Sequence, residues 1–302
     1  MADSVKVSTI YGRVKGVNTS DSMYNITVEL ADNSIMNLKT NKNIDLRQGY
    51  IYKFEIAQNT NSERLVAFLM EYESVANMED INEVDRVYRS FGSQNPLELK
   101  KLEDSIYSYI NNIDNKILHD ITLKLVDLYH DKFFIYPAAT RMHHNYVGGL
   151  AYHTYGMLEL ADGFLKTYNY LSKDYLYSGI ILHDLGKILE FSGVENTEYT
   201  VKGQLLGHLV MGTVFINDVA KELGYSDSEE VLVLEHMVLS HHGLPQYGAC
   251  KKPQTAEAEV LWYIDTLDSK LRVLGEVLDN TKEGEFSDVI GVLDKTKFYK
   301  HN

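Results

Sequence analysis

Over residues 5–17, 24–30, 34–40, 50–57 and 65–72, apolar and polar positions alternate or β-branched residues accumulate, and clusters of Asn, Asp, Ser and Gly separate these runs. A period of two with such breaks predicts five short strands, because successive strand side chains point to opposite faces. So many strands in so short a span predict a small Greek-key barrel. From about residue 76 the period lengthens. Leu99, Leu102, Ile106 and Ile110 recur at three- and four-residue spacing behind Pro96, which marks an amphipathic helix. Further helices are predicted over 117–134, 150–168, 175–191, 205–223, 229–240 and 256–277, with loops at 136–149, 193–203 and 243–254. The expected fold is multidomain, α and β: a barrel over 1–75, a helical linker over 76–115 and an all-α domain over 116–302.

Several apolar helix faces carry polar residues. His153 shares a stripe with Met157, Leu160 and Phe164, and His208 shares one with Gly212, Phe215 and Val219. His241 follows Val231, Leu234 and Val238, with His242 beside it, and Asp265 interrupts the run Val260, Leu261, Trp262, Tyr263, Ile264. An unpaired polar group on a buried face costs a few kcal/mol, on the order of 2 to 7. A single inward histidine is ordinarily a hydrogen-bonded core residue; several inward His and Asp residues need one another, and a shared metal ion is the simplest partner.

The tetrapeptide ILHD occurs twice and separates these two readings. At 117–120 the predicted apolar stripe is Ile117, Ile121, Leu125 and Leu128, which leaves His119 and Asp120 on a solvated surface. At 181–184 the pair follows an apolar run, and Gly186 and Lys187 come next. A carboxylate flanked there by an imidazole and, three residues on, by a lysine suits a metal and phosphate site. The second copy, His183-Asp184, is therefore the chemical one.

Composition narrows the setting. The chain of 302 residues has 44% hydrophobic and 24% charged residues, as a globular protein does. No apolar run long enough for a membrane helix and no basic-then-apolar leader pattern is visible, and one cysteine, Cys250, fits a reducing cytoplasm. The net charge of −14 requires local cations or metal ions to meet any nucleic-acid phosphate. In the β half, Lys6, Arg13, Lys15, Lys39, Lys42, Lys53 and Arg64, with Tyr11, Tyr24, Tyr50 and Tyr52, are candidates for contacts to a single strand, as expected of a barrel of the oligonucleotide-binding (OB) type.

The ordered motifs HHNYVGGLAYHT, ILHDLGK, LLGHL, HMVLSHHG and YIDTLD, at 143–154, 181–187, 205–209, 236–243 and 263–268, resemble the HD-domain metal-dependent phosphohydrolase superfamily. With the OB-like segment ahead of them, they look like the YhaM-type 3′→5′ exoribonucleases. The resemblance covers almost the whole chain. It implies one metal ion held by His153, His183, Asp184 and Asp265, and a second held by His208, His241 and His242 with Asp184 bridging. It implies a divalent cofactor, Mn²⁺ first, with Fe²⁺ or another first-row ion as alternatives, and one ion or two. Lys187 would neutralise phosphate charge, while Arg141, His143 and His144 would hold the scissile phosphate or protonate the leaving oxygen. The substrate implied is single-stranded RNA or DNA. The resemblance is also compatible with a homo-oligomer, which no sequence feature specifies. His236 reads as structural and Asp268 as supporting a ligand. An HD hydrolase of small or cyclic nucleotides would use the same residues, although 243–248 lacks a GYP tripeptide. A binding module with an inactive HD site is the third reading, and it is disfavoured because every motif residue is present.

Overall fold

The computed structural model describes residues 5–20, 23–59, 67–93, 95–139 and 146–301. Arg64, Arg141, His143 and His144 lie outside the described residues. The chain divides into two compact units, 1–99 with 193–197, and 100–192 with 198–302. The segment 76–115 is thus shared between them.

The first unit is a closed barrel in the order β1-β2-β3-β5-β4. Its strands are β1 (Val5–Ser20), β2 (Met23–Glu29), β3 (Ile35–Thr40), β4 (Ile51–Asn59) and β5 (Ala67–Ser74). All pairings are antiparallel except β3 with β5, where Leu38 opposes Ala67 in parallel register. Alternate residues fill the interior: Val14, Ile26, Val28, Leu38, Phe54, Ile56 and Leu69 are buried, and so is Tyr52. Helix α1 (Ile81–Ser90) starts at the cap Asp80, whose carboxylate accepts from the Asn82 and Glu83 amides. The loop 193–197 belongs to this unit, where Glu195 Oε1 accepts from the Ile51 amide at 3.0 Å and the Tyr88 hydroxyl at 2.9 Å.

Most of the candidate strand contacts are already engaged. Arg13 and Lys15 face Glu29 at 3.6 and 3.4 Å, Lys42 faces Glu71 at 2.8 Å and Lys53 faces Glu83 at 3.4 Å. Tyr11 donates to Glu83, and the Tyr52 hydroxyl accepts from the Arg47 amide. These tyrosines serve the barrel itself, because a phenol placed inside or against helix α1 needs its own hydrogen-bond partner.

The second unit is helical: α2 (Leu99–Asn111), α3 (Lys116–Leu128), α4 (His130–Phe133), α5 (Gly149–Thr167), α6 (Lys173–Leu182), α7 (Lys187–Glu190), α8 (Val201–Leu223), α9 (Glu229–Ser240) and α10 (Ala256–Asp279). The predicted stripe Leu99, Leu102, Ile106 and Ile110 is fully buried. On α3 the buried stripe is instead Leu118, Ile121, Thr122, Leu125 and Val126, with Leu128 61% exposed. Asn115 caps this helix, accepting from the Ile117 and Leu118 amides at 3.0 and 3.1 Å. Asn115→Ala is expected to cost about 1 kcal/mol, read as a fall of roughly 2–4 °C in melting temperature.

Three helix boundaries and the tail differ from the sequence expectation. The helix expected over 117–134 breaks at Tyr129 between α3 and α4. That expected over 175–191 stops at Leu182, so His183 and Asp184 lie in the turn before α7. Helix α8 starts at Val201 and is interrupted at Gly207, whose φ of 71° lies in the left-handed region open to glycine. Residues after α10 are not helical throughout: they fold back as a loose hairpin with bridges Phe286–Tyr299 and Ile290–Thr296.

Candidate metal centre

The turn at 183–186 has a local cause. The His183 ring donates from Nδ1 to the Ile180 carbonyl at 2.7 Å, occupying an acceptor that would otherwise serve the continuing helix. The backbone then closes with i→i−3 bonds, Leu185 N–H to Leu182 and Lys187 N–H to Asp184. His241 repeats the device at the end of α9, donating to the Val238 carbonyl at 2.7 Å. Each imidazole ends its helix and, because a carbonyl can only accept, fixes the proton on Nδ1.

The other rings are oriented in the same sense. His153 Nδ1 meets Asp268 Oδ2 at 2.8 Å, His208 Nδ1 meets Glu190 Oε2 at 2.9 Å and His242 Nδ1 meets the Tyr247 carbonyl at 2.9 Å. All five therefore present Nε2 to a common centre. Asp184 spans that centre. Its Oδ2 lies 3.2 Å from His183 Nε2 and 3.9 Å from His153 Nε2, and its Oδ1 lies 3.3 Å from His208 Nε2 and 3.7 Å from His241 Nε2. Asp265 Oδ1 is 3.2 Å from His153 Nε2. Three trios, His153-His183-Asp184, His183-His241-Asp265 and His208-His241-His242, each bring one donor atom per residue within 4.8 Å of one another. Close approach makes this possible: a Cβ on Gly186 would lie 2.2 Å from the His208 carbonyl oxygen.

His183 Nε2, Asp184 Oδ1, His208 Nε2 and His241 Nε2 are buried without a hydrogen-bond partner among the described residues. Four such atoms converging would each cost about 1–3 kcal/mol if left bare, and a divalent cation satisfies them together. The donors are nitrogen and oxygen, and the sole cysteine, Cys250, is exposed and outside the trios. The residues fit a divalent metal ion, as the sequence reading expected.

Electrostatics agree with that fit. Burial opposes ionisation of Asp184, yet the Lys187 ammonium, 2.7 Å from Oδ2, and the His183 ring hold the carboxyl well below its usual range. Burial, then the neighbouring His183 and His242, keep His241 neutral, and burial with His208 lowers His242. His153 goes the other way: burial is overcome by Asp265 and Asp268, which raise it to about 9. Below that pH the metal-free ring carries a proton that must leave before Nε2 can bind a cation. Metal affinity is therefore expected to rise with pH, up to about tenfold per unit between pH 7 and 8 for one displaced proton. Calorimetry in buffers of differing ionisation enthalpy measures this; no proton release would contradict it.

The structure brings together His153, His183, Asp184, Lys187, His208, His241, His242 and Asp265, all singled out from sequence. It places His236 aside, accepting from the Gln254 amide at 2.9 Å. Asp120 of the first ILHD copy is half-buried rather than fully solvated, accepting from Lys116 and from the Tyr225 hydroxyl at 2.8 Å. Sequence reasoning missed Glu190. Its signal was a carboxylate between Leu189 and Phe191 in an apolar run, the same kind that exposed Asp265.

Residues 150–270 match the family model described as HD domain, a span that contains every residue of the three trios. The chain is similar to a protein named 3′-5′ exoribonuclease YhaM from Geobacillus sp. (strain WCH70), 45% identical over 205 residues, covering 68% of this chain and 63% of that one. Like-named proteins of Bacillus licheniformis and Bacillus pumilus are also 45% identical over 205 residues, covering 68% of this chain and 65% of each relative. The match thus spans just under two thirds of these relatives' length. Among the described residues no helix is long and apolar enough to cross a membrane.

Proposed function

We propose that the protein is a metal-dependent 3′→5′ exoribonuclease acting on single-stranded RNA, with single-stranded DNA as a further substrate. The observation that carries this reading is the convergence of inward Nε2 atoms on Asp184; the similarity to proteins named 3′-5′ exoribonuclease supports the substrate and polarity. In this reading His153, His183, Asp184 and Asp265 would hold one divalent ion, and His208, His241 and His242, with Asp184 between the two groups, would hold a second. Mn²⁺ suits the nitrogen and oxygen donors. A bound metal supplies a water nucleophile at neutral pH and draws charge from the attacked phosphate.

The chain's own groups do the rest. Asp184 stays ionised because Lys187 sits against it. The Lys187 ammonium adds positive charge where the phosphate's charge develops, a contribution strengthened by its buried setting. Arg141, His143 and His144, outside the described residues, are assigned to grip the scissile phosphate and to return a proton to the leaving 3′ oxygen. The OB-like barrel holds the strand, and base stacking there tolerates any sequence. The proposed setting is the cytoplasm.

The test compares substrates at one Mn²⁺ concentration: single-stranded RNA, the same RNA as a duplex, cyclic dinucleotides and nucleoside phosphates. Rapid loss of the single strand with release of mononucleotides is expected. Turnover of the small nucleotides alone would overturn the reading.

A further inference from the structure

Glu190 is enclosed at the end of α7, and both of its oxygens are used on a single residue. Oε1 accepts from the His208 backbone amide at 3.1 Å, and Oε2 faces the His208 ring at Nδ1, 2.9 Å away. Glu190 is buried, with 6% of the residue exposed. The backbone around it is fitted closely, since a Cβ on Gly203 would lie 2.4 Å from the Glu190 carbonyl oxygen. His208 is the first residue after the break at Gly207, where the helix cannot itself supply an acceptor for its amide. Glu190 therefore replaces the missing helix turn and aims the ring in one clamp.

The geometry points to Glu190 as the positioning residue of the His208-His241-His242 subsite, setting its metal affinity separately from the subsite built on His153. The inference rests on the metal-centre reading above. The two histidines backed by carboxylates divide between the trios. His153 leans on Asp268, which is itself held by Arg272 Nε at 3.2 Å, whereas His208 leans on Glu190. His183 and His241 lean on carbonyls and His242 on the Tyr247 carbonyl, so each trio at these two ends has one ring polarised by a full negative charge. Such a partner fixes the tautomer and raises the basicity of the ligating nitrogen, and losing it typically weakens metal binding about 10–100-fold.

Glu190→Gln is the informative change, because it keeps the shape and alters the donors. The amide oxygen can take the His208 N–H, which leaves the –NH₂ facing Nδ1. That arrangement favours the tautomer with the proton on Nε2, pointing into the centre in place of a lone pair. Two readouts follow. Long-range ¹H–¹⁵N spectra of the metal-free protein should assign the His208 proton to Nδ1 in wild type and to Nε2 in Glu190→Gln. Mn²⁺ titration by calorimetry should give two steps in wild type, with one weakened about 10–100-fold in Glu190→Gln and the other unchanged. The unchanged step also reports that the variant is folded. In Asp268→Asn the other step should weaken.

A wild type that binds a single ion would remove the two-subsite reading and this inference with it. Two wild-type steps that both survive Glu190→Gln, or that both weaken equally, would overturn the inference alone. So would an Nδ1–H tautomer of His208 in the variant.

Discussion

Asp184→Ala is expected to lower RNA hydrolysis by at least about 1,000-fold, while Asp120→Ala leaves it within about twofold. The two carboxylates sit in the same tetrapeptide, so those four residues alone do not distinguish them. Their surroundings do. Asp184 is buried with Oδ1 turned to His208 and His241 and Oδ2 to His183, His153 and Lys187. Its removal takes the nearest counter-charge from the buried Lys187 ammonium and removes a carboxylate that spans both ends of the cluster. Among the described residues Asp120 belongs to no such cluster; it accepts from Tyr225 and Lys116 on the α3 surface. Its loss costs about 1 kcal/mol of hydrogen bonding, and a melting curve would register it where an activity assay would not. Equal losses of activity in the two variants would show the assignment of the centre to be wrong.

Gly186→Ala carries the second large effect. The added Cβ would meet the His208 carbonyl carbon and oxygen at 2.9 and 2.2 Å, and the obstacle is backbone, which cannot rotate aside as a side chain can. The turn at 183–186 and the break at Gly207 would have to separate, drawing His183 and Asp184 away from His208. Overpacking of this kind costs about 3 kcal/mol. A fall of roughly 6–12 °C in melting temperature is expected. Weakened Mn²⁺ binding should accompany it, since the contact joins the turn bearing His183 and Asp184 to His208, all proposed ligands. A variant with wild-type melting and wild-type metal titration would contradict the close approach.

The sequence made different parts of this molecule legible for different reasons. Strands were readable because alternation in β2 and β3 is a one-dimensional signal of a buried face, seen at Ile26, Val28 and Leu38. The parallel pairing of β3 with β5 closes the barrel through partners about thirty positions apart, and no local pattern encodes it. The candidate metal residues were readable because His153, His183, His208 and Asp265 are polar in otherwise apolar stretches. Where the helices stop was not readable, because His183 and His241 end them with their own rings, and propensity gives a ring no such role. Glu190 was hidden because its partner is eighteen residues away, beyond the glycine break that lets α8 turn back toward it. Likewise Lys15 and Lys53 read as free cations until Glu29 and Glu83 were placed beside them.

One time course decides whether the Asp184-centred cluster trims RNA from its 3′ end. Single-stranded RNA labelled at the 5′ end is incubated with Mn²⁺ and wild-type protein, beside Asp184→Ala, and resolved on a denaturing gel. Stepwise shortening that keeps the 5′ label on every intermediate, absent with Asp184→Ala, is the expected result. Immediate release of labelled mononucleotide, internal fragments without a ladder, or the same ladder from Asp184→Ala would contradict it.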